Sequence, residues 1–294
     1  MLKTDTGAQS AERTARLWPG APYVPNDHGA YAMLLVPMLL GFIVGSVHGV
    51  AANSNPPVTF TLFALSLIGL FFASEPLSVA FKPRSSTHAR RRALLWLGIY
   101  LIAAGLAGAP LLFVWKLWEL GWFLIPAAVL MLIFLITVKL RKQRSLGMRL
   151  PGIVGLTLSA PAAYYIAAGT LDATAWGVWA ACAIYFTGTL FNVRAWFEAN
   201  KQKKSGIATP QLPAWLVASI LLYLAAGALI IWACALTGAL PWAAFVAFSP
   251  SLFRAGWTLW RTPVQLPIKT VGLIEFAQSF LFALLLVVTV TYAG

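Results

Sequence analysis

Residues 117–144 read LWELGWFLIPAAVLMLIFLITVKLRKQR. From Leu120 to Val138 the run carries no charge, and Lys139, Arg141, Lys142 and Arg144 then close it. A helix needs about 20 mostly apolar residues to cross about 30 Å of hydrocarbon, at a rise of about 1.5 Å per residue. A core helix of a soluble domain keeps a polar face, and this run has none. The basic residues stand at one end only. Short loops rich in Lys and Arg remain cytoplasmic, so the charges give direction as well as position.

The same pattern recurs along the chain and predicts nine spans. They cover about 29–52, 58–81, 93–114, 117–138, 150–171, 173–197, 212–235, 238–253 and 267–292, each near the length a crossing requires, with 238–253 short. Of the 21 Lys and Arg, 20 fall before span 1 or at and beyond the inner ends of the even-numbered spans. Lys116 alone lies in a loop of the opposite set. The expectation is an all-α, polytopic membrane bundle with the N-terminus inside and the C-terminus outside. Residues 1–28 are polar, lack the apolar segment of a signal peptide and read as a disordered cytoplasmic tail. Residues 29–294 read as one transmembrane domain, with short outer connections that make spans 3–4, 5–6 and 7–8 helical hairpins.

Composition agrees. The 294 residues are 60% hydrophobic and 10% charged, against about 25% charged in soluble domains. The net charge of +13 sits in short loops between spans. It is explained by topology and by anionic lipid head groups rather than by nucleic acid. Cys182 and Cys234 fall inside spans, without the spacing of a disulfide framework or a zinc site. No phosphate-binding loop, nucleophile elbow or H-E-x-x-H is present.

Small residues predict close helix contacts. Gly41, Gly45 and Gly49 share one face of span 1, and Gly152, Gly155, Ser159 and Ala163 form a similar set in span 5. Such stripes let backbones approach in lipid. Pro37, Pro76 and Pro161 predict kinks.

The chain has only eight acidic residues. Glu119 and Asp172 fall in outer loops. Glu75 lies about 10 Å from the inner end of span 2 and Glu275 about 12 Å into span 9, at similar depth. Ionisable groups at that depth are costly and face a polar interior or cavity, or pair with an Arg that fixes packing. Tyr185, Thr189, Asn192 and Trp196 make a polar stripe on span 6. Arg194 either pairs with Glu198 one turn on or turns inward toward an anion or Glu75. Gln278 and Ser279 follow Glu275 on its face, and Arg254 and Arg261 follow span 8. At the start of span 1, Asn26, Asp27 and His28 combine a helix cap with a group that titrates near neutral pH. The candidate catalytic residues are therefore Asp27, His28, Glu75 and Glu275. The candidate substrate-binding residues are Asn26, Asn192, Arg194, Arg254 and Arg261, and no metal ligands are assigned.

The stretch Val24–Gly41, VPNDHGAYAMLLVPMLLG, resembles the start of the YwiC-like family of bacterial integral membrane proteins. That family opens on a Pro-x-Glu-His-Gly-Ala-Trp-like segment; here Asp27 replaces Glu and Tyr31 supplies the aromatic. Asn192-Val193-Arg194 and Gly272-Leu273-Ile274-Glu275 are also similar to family segments. The resemblance covers nearly the whole chain and implies a multi-pass protein of the bacterial inner membrane. No settled activity comes with it. The layout is distantly similar to UbiA-type prenyltransferases, whose cytoplasm-facing cavity takes a prenyl diphosphate and Mg²⁺. The paired Asp-rich motifs that hold magnesium there are missing here, so no cofactor beyond that analogy is implied.

These observations support three readings. One is a cytoplasm-facing pocket that takes an isoprenoid or lipid-like substrate with an anionic head. The others are a proton- or cation-coupled transporter of a small solute, and a scaffold.

Overall fold

A computed structural model describes residues 21–25, 28–49, 55–82, 85–140, 146–207, 210–260 and 268–292. The helices are α1 (His28–His48), α2 (Pro56–Phe81), α3 (Thr87–Phe113), α4 (Leu124–Leu140), α5 (Leu146–Thr157), α6 (Ser159–Ala168), α7 (Ala173–Lys204), α8 (Ala214–Leu236), α9 (Ser249–Trp260) and α10 (Ile268–Tyr292). Short 3₁₀ segments, Trp118–Phe123 and Trp242–Phe248, lead into α4 and α9. No strand occurs among the described residues. Eight helical segments are long and apolar enough to cross a membrane. The chain is a multi-pass, all-α membrane bundle.

Local chemistry sets the boundaries. Pro56 and Pro57 open α2, where the missing N–H costs nothing. Ser86 caps α3 by accepting from Ala89 N at 3.2 Å, and Asp172 caps α7 by accepting from Ala175 N at 3.0 Å. α6 stops at Gly169, whose φ of 78° is the left-handed conformation that ends a helix.

The expected span 5 is two helices, α5 and α6, joined at Leu158. Pro161 explains the break: its ring collides with the carbonyl four residues earlier, on Thr157, and it offers no N–H in return. α1 and α2 continue through Pro37 and Pro76.

The expected span over 238–253 takes a different form from its neighbours. It is the seven-residue 3₁₀ segment followed by the twelve residues of α9. Pro250 cannot bond to the carbonyl of Val246, and the Ser249 hydroxyl takes that acceptor at 2.8 Å instead. With Ser249, Pro250, Ser251 and Arg254 inside it, the unit is less apolar than the eight spans. Together with the residues that lead into it, it follows α7 from Gly177 to Asn192. A Cβ on Gly177 would lie 2.5 Å from Ala239 O, while Ser251 and Ala255 line the same groove as Asn192. Seven residues at about 2.0 Å and twelve at about 1.5 Å make about 32 Å, the depth of the hydrocarbon.

α1 is the central strut. A Cβ on Gly41 would lie 1.9 Å from Ala160 O, one on Gly45 2.7 Å from Tyr164 O and one on Gly49 2.3 Å from Ala168 Cα. The span 1 stripe thus seats α1 directly on the backbone of α6, as small residues permit in lipid. Ser159 Oγ donates to Leu34 O at 2.9 Å across the same contact. Leu40, Val44, Tyr164, Tyr185, Phe186 and Phe282 fill the core, while Leu106, Leu222 and Phe253 face outward.

At the head of α1, residues 21–25 lie against α3. Arg92 donates to Ala21 O and stands 5.2 Å from the Tyr23 ring centroid. Tyr100 donates to Tyr23 O at 2.9 Å and Tyr31 to Pro25 O at 3.1 Å. The tail expected over residues 1–28 otherwise lies mostly outside the described residues.

Candidate functional site

α7, α9 and α10 meet around one charged pair. Arg254 Nη1 on α9 lies 2.8 Å from Glu275 Oε1 on α10, with the side chains 19% and 16% exposed. The same nitrogen donates to Gln278 Oε1 at 2.7 Å. The contact with Glu275 is an ion pair without hydrogen-bond alignment, and neither carboxylate oxygen has an aligned partner among the described residues. A charged pair held away from water needs good geometry and further hydrogen bonds to offset desolvation. Here Arg254 has a second partner and Glu275 does not.

One turn beyond Glu275, Ser279 Oγ donates to Glu275 O at 2.8 Å. Tyr185 of α7 approaches it at 3.5 Å and stacks on Phe282, with ring centroids 4.1 Å apart. A polar path therefore joins α7 to α10 through the aromatic core. Gln278 and Ser279 were marked in the sequence only by sharing a face with Glu275.

Beside this cluster, α7, α8 and α9 enclose a narrow groove of about 60 Å³. Ile184, Gly188, Leu224, Gly227, Ile231 and Phe248 line most of it. Tyr223 donates to Ile184 O at 2.6 Å and rests on Gly188, where a Cβ would lie 2.4 Å from its oxygen. Asn192 and Ser251 mark the end toward Lys201, Lys203 and Lys204. Asn192 is 8% exposed, lines the groove and has no hydrogen-bond partner among the described residues.

The other expected residues are distributed differently. Arg194 Nη2 pairs with Glu198 Oε1 at 2.9 Å, and its guanidinium stands 5.9 Å from the Trp215 ring centroid. Of the two alternatives for Arg194, this is the pair along its own helix. Glu75 is half-buried in α2 and has no ion pair or hydrogen bond among the described residues. α2 packs on α3, α6 and α4, whereas α10 packs on α1, α9 and the 3₁₀ segment before it. Glu75 and Glu275 therefore belong to different faces of the bundle. Tyr31 meets Phe71 at 5.1 Å and Phe42 meets Phe60 at 4.1 Å, an antiparallel register that sets Glu75 level with the start of α1. His28 stands at that start. Asn26, Asp27 and Arg261 lie outside the described residues.

Fold and site together define a multi-pass helical membrane protein with an ion pair and an apolar groove in its interior. Residues 24–164 match the family model described as YwiC-like protein. It is 26% identical over 275 residues to the Bacillus subtilis (strain 168) protein named "Uncharacterized protein YwiC", an alignment covering 91% of this chain and 98% of that one. A Haemophilus influenzae relative is 25% identical over 266 residues, covering 90% of this chain and 97% of its own. Neither relative's name carries an activity. No solved structure matches.

Proposed function

We propose that this chain is a bacterial inner-membrane protein that binds an amphipathic ligand with an anionic head, of isoprenoid or lipid-precursor type, in the cytoplasmic half of its bundle. The observation that carries this reading is the Arg254–Glu275 pair, held inside the bundle with a carboxylate that lacks aligned hydrogen bonds. Arg254 is a planar donor suited to two-point contact with phosphate or carboxylate. An incoming anion competes with Glu275 for it, and Gln278 holds the guanidinium in place meanwhile. Glu275, released, is the group available to take a cation or a proton.

The analogy with UbiA-type transferases brings Mg²⁺ with it. Magnesium prefers several oxygen ligands in octahedral geometry. Among the described residues no three acidic, His or Cys side chains gather at one point, and Glu275 faces an Arg. The described residues do not fit that ion, and no step here runs through it.

Binding of radiolabelled farnesyl phosphate to protein in phosphatidylcholine nanodiscs tests the reading. Arg254→Gln should weaken binding at least tenfold, the scale of one charged hydrogen-bonded contact. Unchanged binding in that variant, or none in the wild type, overturns it.

A transporter reading rests on the same unaligned carboxylate, because proton-coupled carriers place acids inside the membrane. Solute uptake by proteoliposomes that follows an imposed proton gradient and is lost in Glu275→Gln favours it over the first.

A further inference from the structure

We propose that the anion and a proton bind at this site together: each anion that takes Arg254 brings one proton onto the carboxylate of Glu275. This rests on the reading of Arg254 above and adds to it a second ligand, the proton, in a ratio of one to one.

Charge at the site is balanced one against one. Arg254 Nη1 lies 2.8 Å from Glu275 Oε1, with the side chains 19% and 16% exposed. Gln278 shares that nitrogen at 2.7 Å but carries no charge. An anionic head that takes the guanidinium leaves two negative groups beside one positive group, largely away from water. A charge stranded in that way is costly, which is why removing one partner of a buried pair does more harm than removing both.

The elements around Glu275 bring it one cation among the described residues. α10 packs on α1, α9 and the 3₁₀ segment Trp242–Phe248. The 3₁₀ segment has no ionisable residue, and α9 has Arg254 alone. On α1, Tyr31 packs against Phe71 of α2 and His48 Nδ1 lies 3.1 Å from Val44 O at the far end. His28 is the first residue of α1, and Lys269 the second of α10, six residues or about 9 Å of rise before Glu275. α7 contributes the Tyr185 hydroxyl, which meets Ser279 and not the carboxylate.

Both Glu275 oxygens are enclosed and lack an aligned hydrogen bond. Once Arg254 turns to the anion, no donor among the described residues holds the charge that remains. A proton removes that charge outright and needs no ligand shell. A metal ion needs several oxygens, and no three acidic, His or Cys side chains gather at one point among the described residues. The proton comes from water and forms an O–H bond on Glu275, and no other covalent bond changes. Coupling of this kind is reciprocal: an anion that raises the proton affinity of Glu275 is itself bound more tightly as pH falls.

A ligand that does not titrate makes the coupling measurable. Farnesyl methyl phosphate, a diester with a single negative charge, is bound to the full chain in phosphatidylcholine nanodiscs. Calorimetry in two buffers of different ionisation enthalpy then counts protons. The wild type should take up one proton per ligand near neutral pH, and Kd should rise about tenfold from pH 7 to pH 8. Glu275→Gln should take up none and bind with one Kd at both. Exchanging Na⁺ for K⁺ should change nothing. If Glu275→Gln fails to fold, the proton count of the wild type decides. Binding without proton uptake, uptake that persists in Glu275→Gln, or a requirement for Na⁺ overturns the inference and leaves the reading of Arg254 standing. No binding in the wild type, or undiminished binding in Arg254→Gln, overturns that reading and this inference with it.

Discussion

Gly41 shows how much one missing side chain decides. Its α-carbon sits where a Cβ would meet Ala160 O at 1.9 Å, inside any van der Waals contact, and the atom in the way is backbone. A neighbour of that kind cannot rotate aside. Gly41→Val should therefore cost about 3 kcal/mol or more, read as a lower thermal midpoint of the purified protein in detergent. Gly105, where a Cβ meets nothing within 4 Å, is the matched control, and Gly105→Ala should leave the midpoint unchanged. Arg254 and Glu275 make a second test at this scale. Removing one partner leaves the other charge without compensation, whereas removing both does not. Arg254→Gln should lower stability by about 3 kcal/mol, and Arg254→Gln combined with Glu275→Gln should recover most of it. Equal loss in single and double variants would show that the pair is not coupled.

At the scale of the element, breaks and caps carry the information. The α5–α6 break follows from Pro161 acting on Thr157, so Pro161→Ala should let one helix continue through Leu158. Hydrogen exchange at residues 157–162 measures this: slower exchange is expected, and unchanged exchange would mean that packing on α1 imposes the break. The turn from α6 to α7 is fastened twice by Asp172. One oxygen accepts from Ala175 N at 3.0 Å and the other from the Tyr164 hydroxyl at 2.7 Å. Asp172→Ala should cost about 1 kcal/mol for the cap and about 1–3 kcal/mol for the hydroxyl left unpaired. Tyr164→Phe should cost only about 1 kcal/mol, since it removes donor and demand together. A midpoint loss for Tyr164→Phe equal to that for Asp172→Ala would contradict this division.

For the whole molecule, the distribution of Lys and Arg is a statement about direction. We propose an inside N-terminus and an outside C-terminus, tested by alkaline phosphatase fusions. Fusions after Lys82 and Ser205 should be inactive, and those after Gly169, Gly238 and Gly294 active; the reverse set would invert the topology. The spans were legible because transfer into lipid acts on every residue of a run, so a local stretch such as 120–138 suffices to identify it. The close contact of span 1 was legible for a similar reason, since Gly41, Gly45 and Gly49 fall on one face whatever they touch. The 3₁₀ segment before α9 was not, because it depends on Ser249 taking the Val246 carbonyl that Pro250, without an N–H, cannot. The candidate site was legible as a list and not as an arrangement. Depth along each helix can be counted, which brought Glu75 and Glu275 to similar levels. Rotation and neighbour cannot be counted, and these assigned Glu275 to Arg254, Arg194 to Glu198 and Glu75 to another face. By itself the sequence determined that the chain lives in a membrane and where its basic loops lie, because each is a sum over neighbouring residues; of the nine spans it predicted, eight are long, apolar helices in the structure. Only the tertiary structure decided which charges meet and that Asn192 opens onto a groove, because those depend on contacts between residues far apart in the chain.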